Sequence, residues 1–250
     1  MNATIQEETK PHWLDRPVLA IGRLDLEKTL YLVMIVLAIF SRFWNVGDRV
    51  MSHDESLHTY YSWNLYKGGG FSHTPLMHGA FKFLLNAGIY SLFGADDFTA
   101  RSGTALFGVA LVLLPFFLRR WLGRTGALFT SFLILISPSL LYHARYIRDE
   151  AFMLVWILLI MWAMFAYLRE RKTKWLYLLA IVMGLMYNSM EAAFIFSAIF
   201  GLFVAATAIV ELSARRNFWS STFVRAVVGL GVVAVFAVFV VMIQTLLLNA

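Results

Sequence analysis

The feature that most constrains this chain is a series of apolar stretches, several of which reach the roughly 20 residues that a helix needs to cross a bilayer. Hydrophobic residues make up 60% of the 250 residues and charged residues 14%, which leaves too little polar surface for a water-soluble domain. The sequence therefore predicts an all-α, polytopic helical membrane protein with about seven transmembrane helices. We expect these spans at about residues 27–44, 100–118, 125–142, 150–168, 175–190, 192–212 and 224–248.

Composition excludes several classes of function. The chain has no cysteine, so disulfide and thiol chemistry are absent. Its net charge of +6 is spread over the loops, which indicates a topology signal and contact with anionic headgroups. We therefore expect membrane lipid as a partner and no nucleic acid. The polar N-terminus is not typical of a signal peptide.

One apolar segment, residues 75–93, is ambiguous. It carries His78, Lys82, Asn86 and Tyr90 at a spacing of four, which makes one continuous polar stripe on a helix. Such a stripe favours an interfacial amphipathic helix over a helix that crosses the membrane. The first outer loop, residues 45–99, would then contain this interfacial helix.

Lysine and arginine placement supports that arrangement. If 75–93 does not cross, then the tail, residues 1–26, lies on the same side as three basic turns, at 119–124, 169–174 and 213–216. With Lys28 and Arg225, that side holds fourteen of the 21 Lys and Arg residues. The positive-inside rule makes that side cytoplasmic. We therefore expect a multi-pass plasma-membrane protein with a cytoplasmic N-terminus, followed by a transmembrane domain over residues 27–250.

Two acidic clusters fall on the opposite, extracytoplasmic face in this topology. One is His53-Asp54-Glu55 and the other is Arg148-Asp149-Glu150. Ionisable residues beside a membrane span mark a functional site by default. The alternatives are that the first cluster begins a solvated loop and that the second only favours a helix N-terminus. Glu191 is a third acid on this face, with the same alternative of a helix-start acid.

The outer loop also holds four of the six histidines, and a flexible Gly68-Gly69-Gly70 break lies between His53 and His73. A fold-back there could bring His73 near Asp54. The predicted cofactor is a divalent metal (Mg, Mn or Zn) bound by His73 and Glu55, the alternative being histidines that face water. Four aromatic residues of the loop are typical of an interfacial belt, and a sugar-stacking surface is the alternative. They are Tyr60, Tyr61, Trp63 and Tyr66.

The order of motifs resembles a known family over about residues 28–212. Asp54-Glu55 follows an apolar span and precedes His73-Thr74-Pro75-Leu76. Further motifs follow in order: Phe93-Gly94 with Asp97-Phe98 and Arg101, then 105–109, then Ser137-Pro138 with Tyr142, Arg145 and Asp149-Glu150, then Gly184-Leu185 with Tyr187. This is similar to the N-terminal membrane half of GT-C glycosyltransferases. The nearest groups are the protein O-mannosyltransferase and aminoarabinose-transferase families and, within them, the flippase-activity-associated group.

The resemblance implies an inverting transferase that moves a sugar from a polyprenyl- or dolichyl-phosphate carrier to a protein, lipid or glycan acceptor on the outer face. It implies that Asp54 is the main catalytic carboxylate and that Asp149 lies across the cleft. It also implies that His73 helps to bind metal or donor phosphate. Met190 stands where relatives have a lysine near the lipid phosphate, so Arg145 and Arg148 are candidates for that contact. Relatives continue past residue 250, so we expect a fragment or a short homologue.

These roles fit the chemistry of the residues. Asp54 would act as general base toward an acceptor hydroxyl, and Glu55 would tune its pKa as a neighbouring like charge. Glu150, Glu191 and His53 are further candidates for the site. The alternative functions are a lipid-linked-sugar flippase or transporter and a non-catalytic scaffold. Because the acids lie at span ends rather than at mid-bilayer, the pattern favours interfacial chemistry.

Overall fold

The computed structural model describes residues 12–15, 17–19, 24–71 and 78–213. Apart from a 3-10 turn at Trp13–Asp15 and one pair of antiparallel strands, these residues form helices joined by short turns. The elements are β1 Pro17–Leu19, β2 Leu24–Asp25, α1 Leu26–Phe43, α2 His53–Tyr66, α3 Phe81–Phe93, α4 Asp97–Leu113, α5 Pro115–Leu122, α6 Arg124–Ile136, α7 Pro138–Ala144, α8 Glu150–Glu170, α9 Thr173–Tyr187 and α10 Ala193–Ser213. Met1–Phe194 forms one compact unit and Ile195–Ala250 a second. The site described below lies within the first.

The core of the first unit is built mainly around α4. Tyr31, Met34 and Ala38 of α1 pack with Val109 and Val112 of α4, and Leu135 of α6 completes this cluster. On another side of α4, four rings from α3, α4 and α8 meet edge to face with centroids 4.8–5.8 Å apart. They are Phe81, Phe107, Phe152 and Trp156. Edge-to-face pairs add to the stabilisation from apolar burial, so α4 is a rigid support for its neighbours.

A bend of 66° separates α6 from α7 at the Ser137-Pro138 step. Proline has no N–H to donate to the carbonyl four residues back, so helix hydrogen bonding stops here. Arg42 of α1, 1% exposed, donates instead to the carbonyl oxygens of Leu135 and Ile134 at 3.2 Å each. The buried guanidinium of Arg42 therefore supplies hydrogen bonds to carbonyl groups at the C-terminal end of α6.

The predicted helical character is confirmed for the described residues, with the small strand pair as the exception. By length and composition, three segments could cross a membrane: Asp97–Leu122, Glu150–Glu170 and Ala193–Leu212; the bent α6–α7 pair would make a fourth if it is one span. Helix α1 coincides with the expected span at 27–44 but has three charged residues among its 18, and α9 has only 15 residues. The span expected at 224–248 lies outside the described residues. The number of seven therefore stays a prediction.

Helix α3 differs from the expectation in the direction of its polar face. Lys82, Asn86 and Tyr90 are each at most 1% exposed, because this face packs against α2 and α4. The surface of α3 is apolar, with Leu92 78% and Phe93 74% exposed. The spacing of four correctly indicated one polar face, and the structure directs that face into the protein. The placement of this helix in the membrane interface stays a prediction.

Candidate active site

Helix α2 begins with a capping box that fixes Glu55. The Ser52 hydroxyl accepts from the Glu55 N–H at 3.4 Å, and the Glu55 carboxylate accepts from the Ser52 N–H at 3.2 Å. Such reciprocal bonds satisfy amides that would otherwise have no partner at a helix start. The sequence Ser52-His53-Asp54-Glu55 therefore starts a helix, with Asp54 in its first turn.

The carboxylate of Glu55 is fully buried and accepts from three further groups. Arg101 of α4 donates to both of its oxygens, at 2.9 and 3.2 Å, and Arg49 donates at 2.8 Å. The backbone N–H of Ile147 lies 3.4 Å from the same carboxylate. Burial alone would raise the pKa of Glu55, but the hydrogen bonds from Arg101 and Ser52 outweigh it and lower the pKa.

This arrangement changes the role that the sequence indicated for Glu55. Its oxygens are occupied by two guanidinium groups, so it offers no free lone pair to an acceptor hydroxyl or to a metal ion. Glu55 instead joins α2, α4 and the turn at 145–149. A hydrogen bond of 2.6 Å between the hydroxyls of Ser52 and Tyr146 makes the same connection. These contacts favour a positioning role for Glu55, and its catalytic role stays a prediction.

Asp149 ends this turn and lies in a buried group of three charged or polar side chains. Lys82 of α3 donates to Asp149 Oδ2 at 2.7 Å, and both side chains are at most 2% exposed. The ammonium of Lys82 also lies 3.3 Å from His58 Nε2. Because an ammonium only donates, Nε2 accepts and the neutral ring carries its proton on Nδ1. Asp149 Oδ1 and His58 Nδ1 are buried without a hydrogen-bond partner among the described residues.

Burial dominates the electrostatics of this group. It lowers the pKa of His58 to about 3, and the charge of Lys82 acts in the same direction. Burial also lowers the pKa of Lys82 and raises that of Asp149, whereas the attraction between these two charges opposes both shifts. Burial thus disfavours every charge in this group, and the attraction between Lys82 and Asp149 is what supports their ion pair next to a neutral imidazole.

Asp54, which precedes the buried Glu55 in the first turn of α2, lies at the surface. Its side chain is 51% exposed, and one carboxylate oxygen is 3.8 Å from the guanidinium of Arg148, which is 38% exposed. Arg148 also pairs with Glu150 at 3.2 Å. The two acidic segments, which are 95 residues apart in the chain, thus meet through Arg148. An accessible carboxylate can accept a proton, and the accessible guanidinium beside it can bind an anion at the same place.

The remaining predicted residues lie in other surroundings. Arg145 donates to the carbonyl oxygens of Ser41 at 2.7 Å and Asn45 at 3.5 Å, so it fastens the turn to the end of α1. His53 is exposed at the first position of α2. Glu191 pairs with His78 Nδ1 at 2.7 Å, near the start of α3. His73 lies outside the described residues.

The predicted metal site stays a prediction. Across residues 12–15, 17–19, 24–71 and 78–213, no three histidine, aspartate or glutamate side chains are grouped so that they could hold an ion. Of the two expected ligands, Glu55 does not fit because both of its oxygens accept from arginines. The other, His73, falls in the segment that is not described.

Sequence reasoning missed four residues of this framework, namely His58, Lys82, Arg101 and Arg49. Three of the four, all but Arg49, are at most 7% exposed. A charged residue on an apolar helix needs a buried partner, so Lys82 on α3 carried a usable signal for an ion pair. No comparable local signal joined Arg101 to Glu55, since 46 residues separate them.

Comparison with known proteins agrees with the motif order. The sequence profile of the dolichyl-phosphate-mannose-protein mannosyltransferase family matches residues 75–245, which include α3 to α10 and Asp149. No curated protein matches the chain. The family and the apolar helices together indicate a membrane-embedded protein. The chain belongs to the dolichyl-phosphate-mannose-protein mannosyltransferase family and is a membrane glycosyltransferase of the GT-C type.

Proposed function

We propose that this protein transfers a mannose-type sugar from a dolichyl- or polyprenyl-phosphate carrier to an acceptor hydroxyl at the extracytoplasmic membrane surface. The observation that carries the proposal is the accessible Asp54–Arg148 pair, with 3.8 Å between its charged groups. It lies at a helix start that buried ion pairs fix in place. The family profile supports a mannosyl donor on a lipid phosphate.

Asp54 acts in this proposal as the general base. Its carboxylate accepts the proton of the acceptor hydroxyl while that oxygen attacks the anomeric carbon. The bond from the anomeric carbon to the phosphate oxygen breaks, and the electron pair leaves with the lipid phosphate. Because the attack comes from the side opposite the leaving group, the configuration at the anomeric carbon is inverted.

Arg148 stabilises the leaving phosphate. Its guanidinium is partly exposed and contacts carboxylates on Asp54 and Glu150, so it can turn from one of these toward a phosphate. The negative charge that grows on the phosphate oxygens during transfer is then compensated at the site. Arg145 donates to the end of α1 and so holds the turn that carries Arg148, which makes it a positioning residue in this proposal.

Asp149 and Lys82 are positioning residues in this mechanism. Their buried ion pair joins α3 to the turn that carries Arg148, and Glu55 with Arg101 joins α2 to α4 and to the same turn. Fixed donors and acceptors need little reorganisation when charge develops in a transition state. The two buried pairs therefore hold Asp54 and Arg148 at a set separation.

The test is a transfer assay with the 250-residue chain reconstituted in liposomes with dolichyl-phosphate mannose labelled in the sugar. Serine- and threonine-rich peptide, mannobiose and a lipid alcohol are supplied in turn as acceptors. We expect label on at least one acceptor and an equal amount of released dolichyl phosphate. A donor that stays intact with all three acceptors, yet crosses the bilayer of the liposomes, would contradict the proposal and favour a flippase.

A further inference from the structure

A cavity of about 230 Å³ lies where two of the candidate membrane spans end. Helix α5, which completes the span Asp97–Leu122, forms one wall, and the last turns of the span Glu150–Glu170 form another. The second span starts directly after Asp149, and its 21 residues cover about 30 Å, the thickness of the hydrocarbon core. The cavity therefore lies one membrane thickness away from the candidate active site, and the transfer proposed above makes no use of it.

Three tryptophans line the cavity and indicate its depth in the membrane. Trp162 and Trp175 meet edge to face with ring centroids 5.1 Å apart, and Trp121 is 38% exposed. Tryptophan is enriched at the level of the lipid headgroups, because its ring is apolar and its N–H is polar. Phe117 lies one helical turn deeper in the span than Trp121 and is 45% exposed, which provides a surface for an acyl chain.

The polar wall of the cavity carries positive charge that is available to a ligand. Arg120 is exposed and makes no ion pair or hydrogen bond within the part of the chain that the structure describes. Arg119 lies over the ring of Phe116, 4.1 Å from its centroid, and only one of its nitrogens contacts Glu27, at 3.4 Å. Glu27 is held more closely by Arg124, at 2.7 Å. A guanidinium has five N–H donors, so Arg119 also keeps donors for a ligand.

Glu170, the one carboxylate among the described residues that line the cavity, does not cancel this charge. Its Oε2 accepts from the Trp175 Nε1–H at 3.2 Å and lies 3.5 Å from the ammonium of Lys172 and 4.0 Å from that of Lys174. The two lysines offset the charge of Glu170. The guanidinium groups on the α5 wall are therefore left for a ligand.

These features favour a phosphate that is attached to a lipid. A guanidinium donates two parallel hydrogen bonds to a phosphate, whereas Arg119 and Arg120 repel a cation. A neutral sugar would leave both guanidinium charges uncompensated. An acidic peptide matches the charge but not the apolar surface at Phe117, which lies within the span. An anionic phospholipid matches both, since its phosphate meets the guanidinium groups while its acyl chains lie along the span.

We propose that this cavity binds the phosphate headgroup of one anionic phospholipid. Arg120 is the principal contact, Arg119 is the second, and the tryptophans surround the glycerol region of the lipid. A bound lipid joins α5 to the adjoining ends of α8 and α9, so it stabilises the folded state by mass action. This binding does not depend on the transfer reaction.

The test titrates the 250-residue chain in neutral detergent with phosphatidylglycerol or phosphatidylcholine and counts bound lipids by native mass spectrometry. The first phosphatidylglycerol should bind about ten-fold more tightly than phosphatidylcholine and should raise Tm. Arg120→Gln should weaken binding of phosphatidylglycerol about ten-fold while the Tm without lipid stays unchanged, because Arg120 is exposed. Arg169→Gln is the matched control, since Arg169 is exposed in the last turn of α8 and does not line the cavity.

Four results would overturn the assignment. Equal affinity of the wild-type chain for the two lipids would remove the role of charge. An equal loss of affinity in Arg120→Gln and Arg169→Gln would mean that only the general basic surface attracts the lipid. Displacement of phosphatidylglycerol by inorganic phosphate at the same concentration would assign the site to a free anion. Displacement by a glutamate-rich peptide at lower concentration than by phosphatidylglycerol would assign it to a protein partner.

Discussion

Replacing Lys82 by methionine tests the buried framework most sharply. The substitution keeps the length and volume of the side chain but leaves Asp149, 2% exposed, without its cation. At the 2.7 Å separation of the pair and an effective dielectric constant of about 20, the lost attraction is roughly 6 kcal/mol. Part of this lost attraction is offset, because the variant no longer removes the ammonium of Lys82 from water on folding. Removing one member of a buried ion pair lowers the free energy of unfolding by a net 3–5 kcal/mol, roughly.

The cost should depend on pH in a defined direction. Without Lys82, burial raises the pKa of Asp149 further above its value in the unfolded chain, which is about 3.9. At a pH below that unfolded pKa, the Asp149 carboxyl is protonated in both the folded and the unfolded chain, so its burial carries no penalty for a charge. As the pH rises toward the folded pKa, only the unfolded chain ionises, so the folded state loses stability. The defect of Lys82→Met should therefore be small near pH 4 and should grow as the pH rises toward the raised folded pKa of Asp149.

Thermal unfolding in detergent measures this effect. At pH 7.5 we expect Lys82→Met to lower Tm by about 10 °C, and the double variant Lys82→Met/Asp149→Asn to recover most of that loss. Lys67→Met is the control, because Lys67 is exposed and the change should stay within about 0.5 kcal/mol. If Lys82→Met unfolds like Lys67→Met, or if the double variant is less stable than the single one, the buried pair does not have the assigned role.

Three further results are expected. Gly108→Ala should destabilise the protein by about 1–3 kcal/mol, since a Cβ there would overlap that of Ala144. A Cβ at Gly88 meets nothing within 4 Å, so Gly88→Ala should not destabilise, and equal Tm values for the two variants would contradict this reasoning. Because the pKa of His58 is about 3 when folded and about 6.5 when unfolded, stability falls as pH drops from 6.5. Between pH 7 and 5, denaturant titration should show about 2 kcal/mol more loss in wild type than in His58→Gln. Arg148→Gln should lower kcat/KM for the donor about ten-fold or more without unfolding the protein, and an unchanged kcat/KM would exclude Arg148 from the site.

The sequence predicted the two acidic segments of the site but not the role of each acid. Residues 53–55 and 148–150 meet in the structure through Asp54 and Arg148, whereas the membrane topology that placed both on one face stays a prediction. The motif Ser52-x-x-Glu55 is also the signature of a capping box, and this local signal would have placed Glu55 in a structural role. Adjacent acids on a helix point in different directions, so Asp54 faces solvent while Glu55 is buried.

The polar face of α3 shows why amphipathic spacing alone misleads in a membrane protein. Residues four apart share a face, but the spacing does not say whether that face meets water or protein. Lys82 lies in the interior because Asp149 and His58, 67 and 24 residues away, provide its partners there. Such contacts depend on the packing of three helices, which periodicity in one helix cannot predict.

The most direct test of the central claim compares Asp54→Asn with Asp48→Asn in the release of dolichyl phosphate from dolichyl-phosphate mannose. Both aspartates are exposed in the first loop and α2, and only Asp54 is paired with Arg148. Loss of the general base should lower the rate by roughly 10²-fold or more in Asp54→Asn. Asp48→Asn should keep the wild-type rate, and both variants should keep the wild-type Tm. Release by Asp54→Asn within a few-fold of wild type would contradict the account.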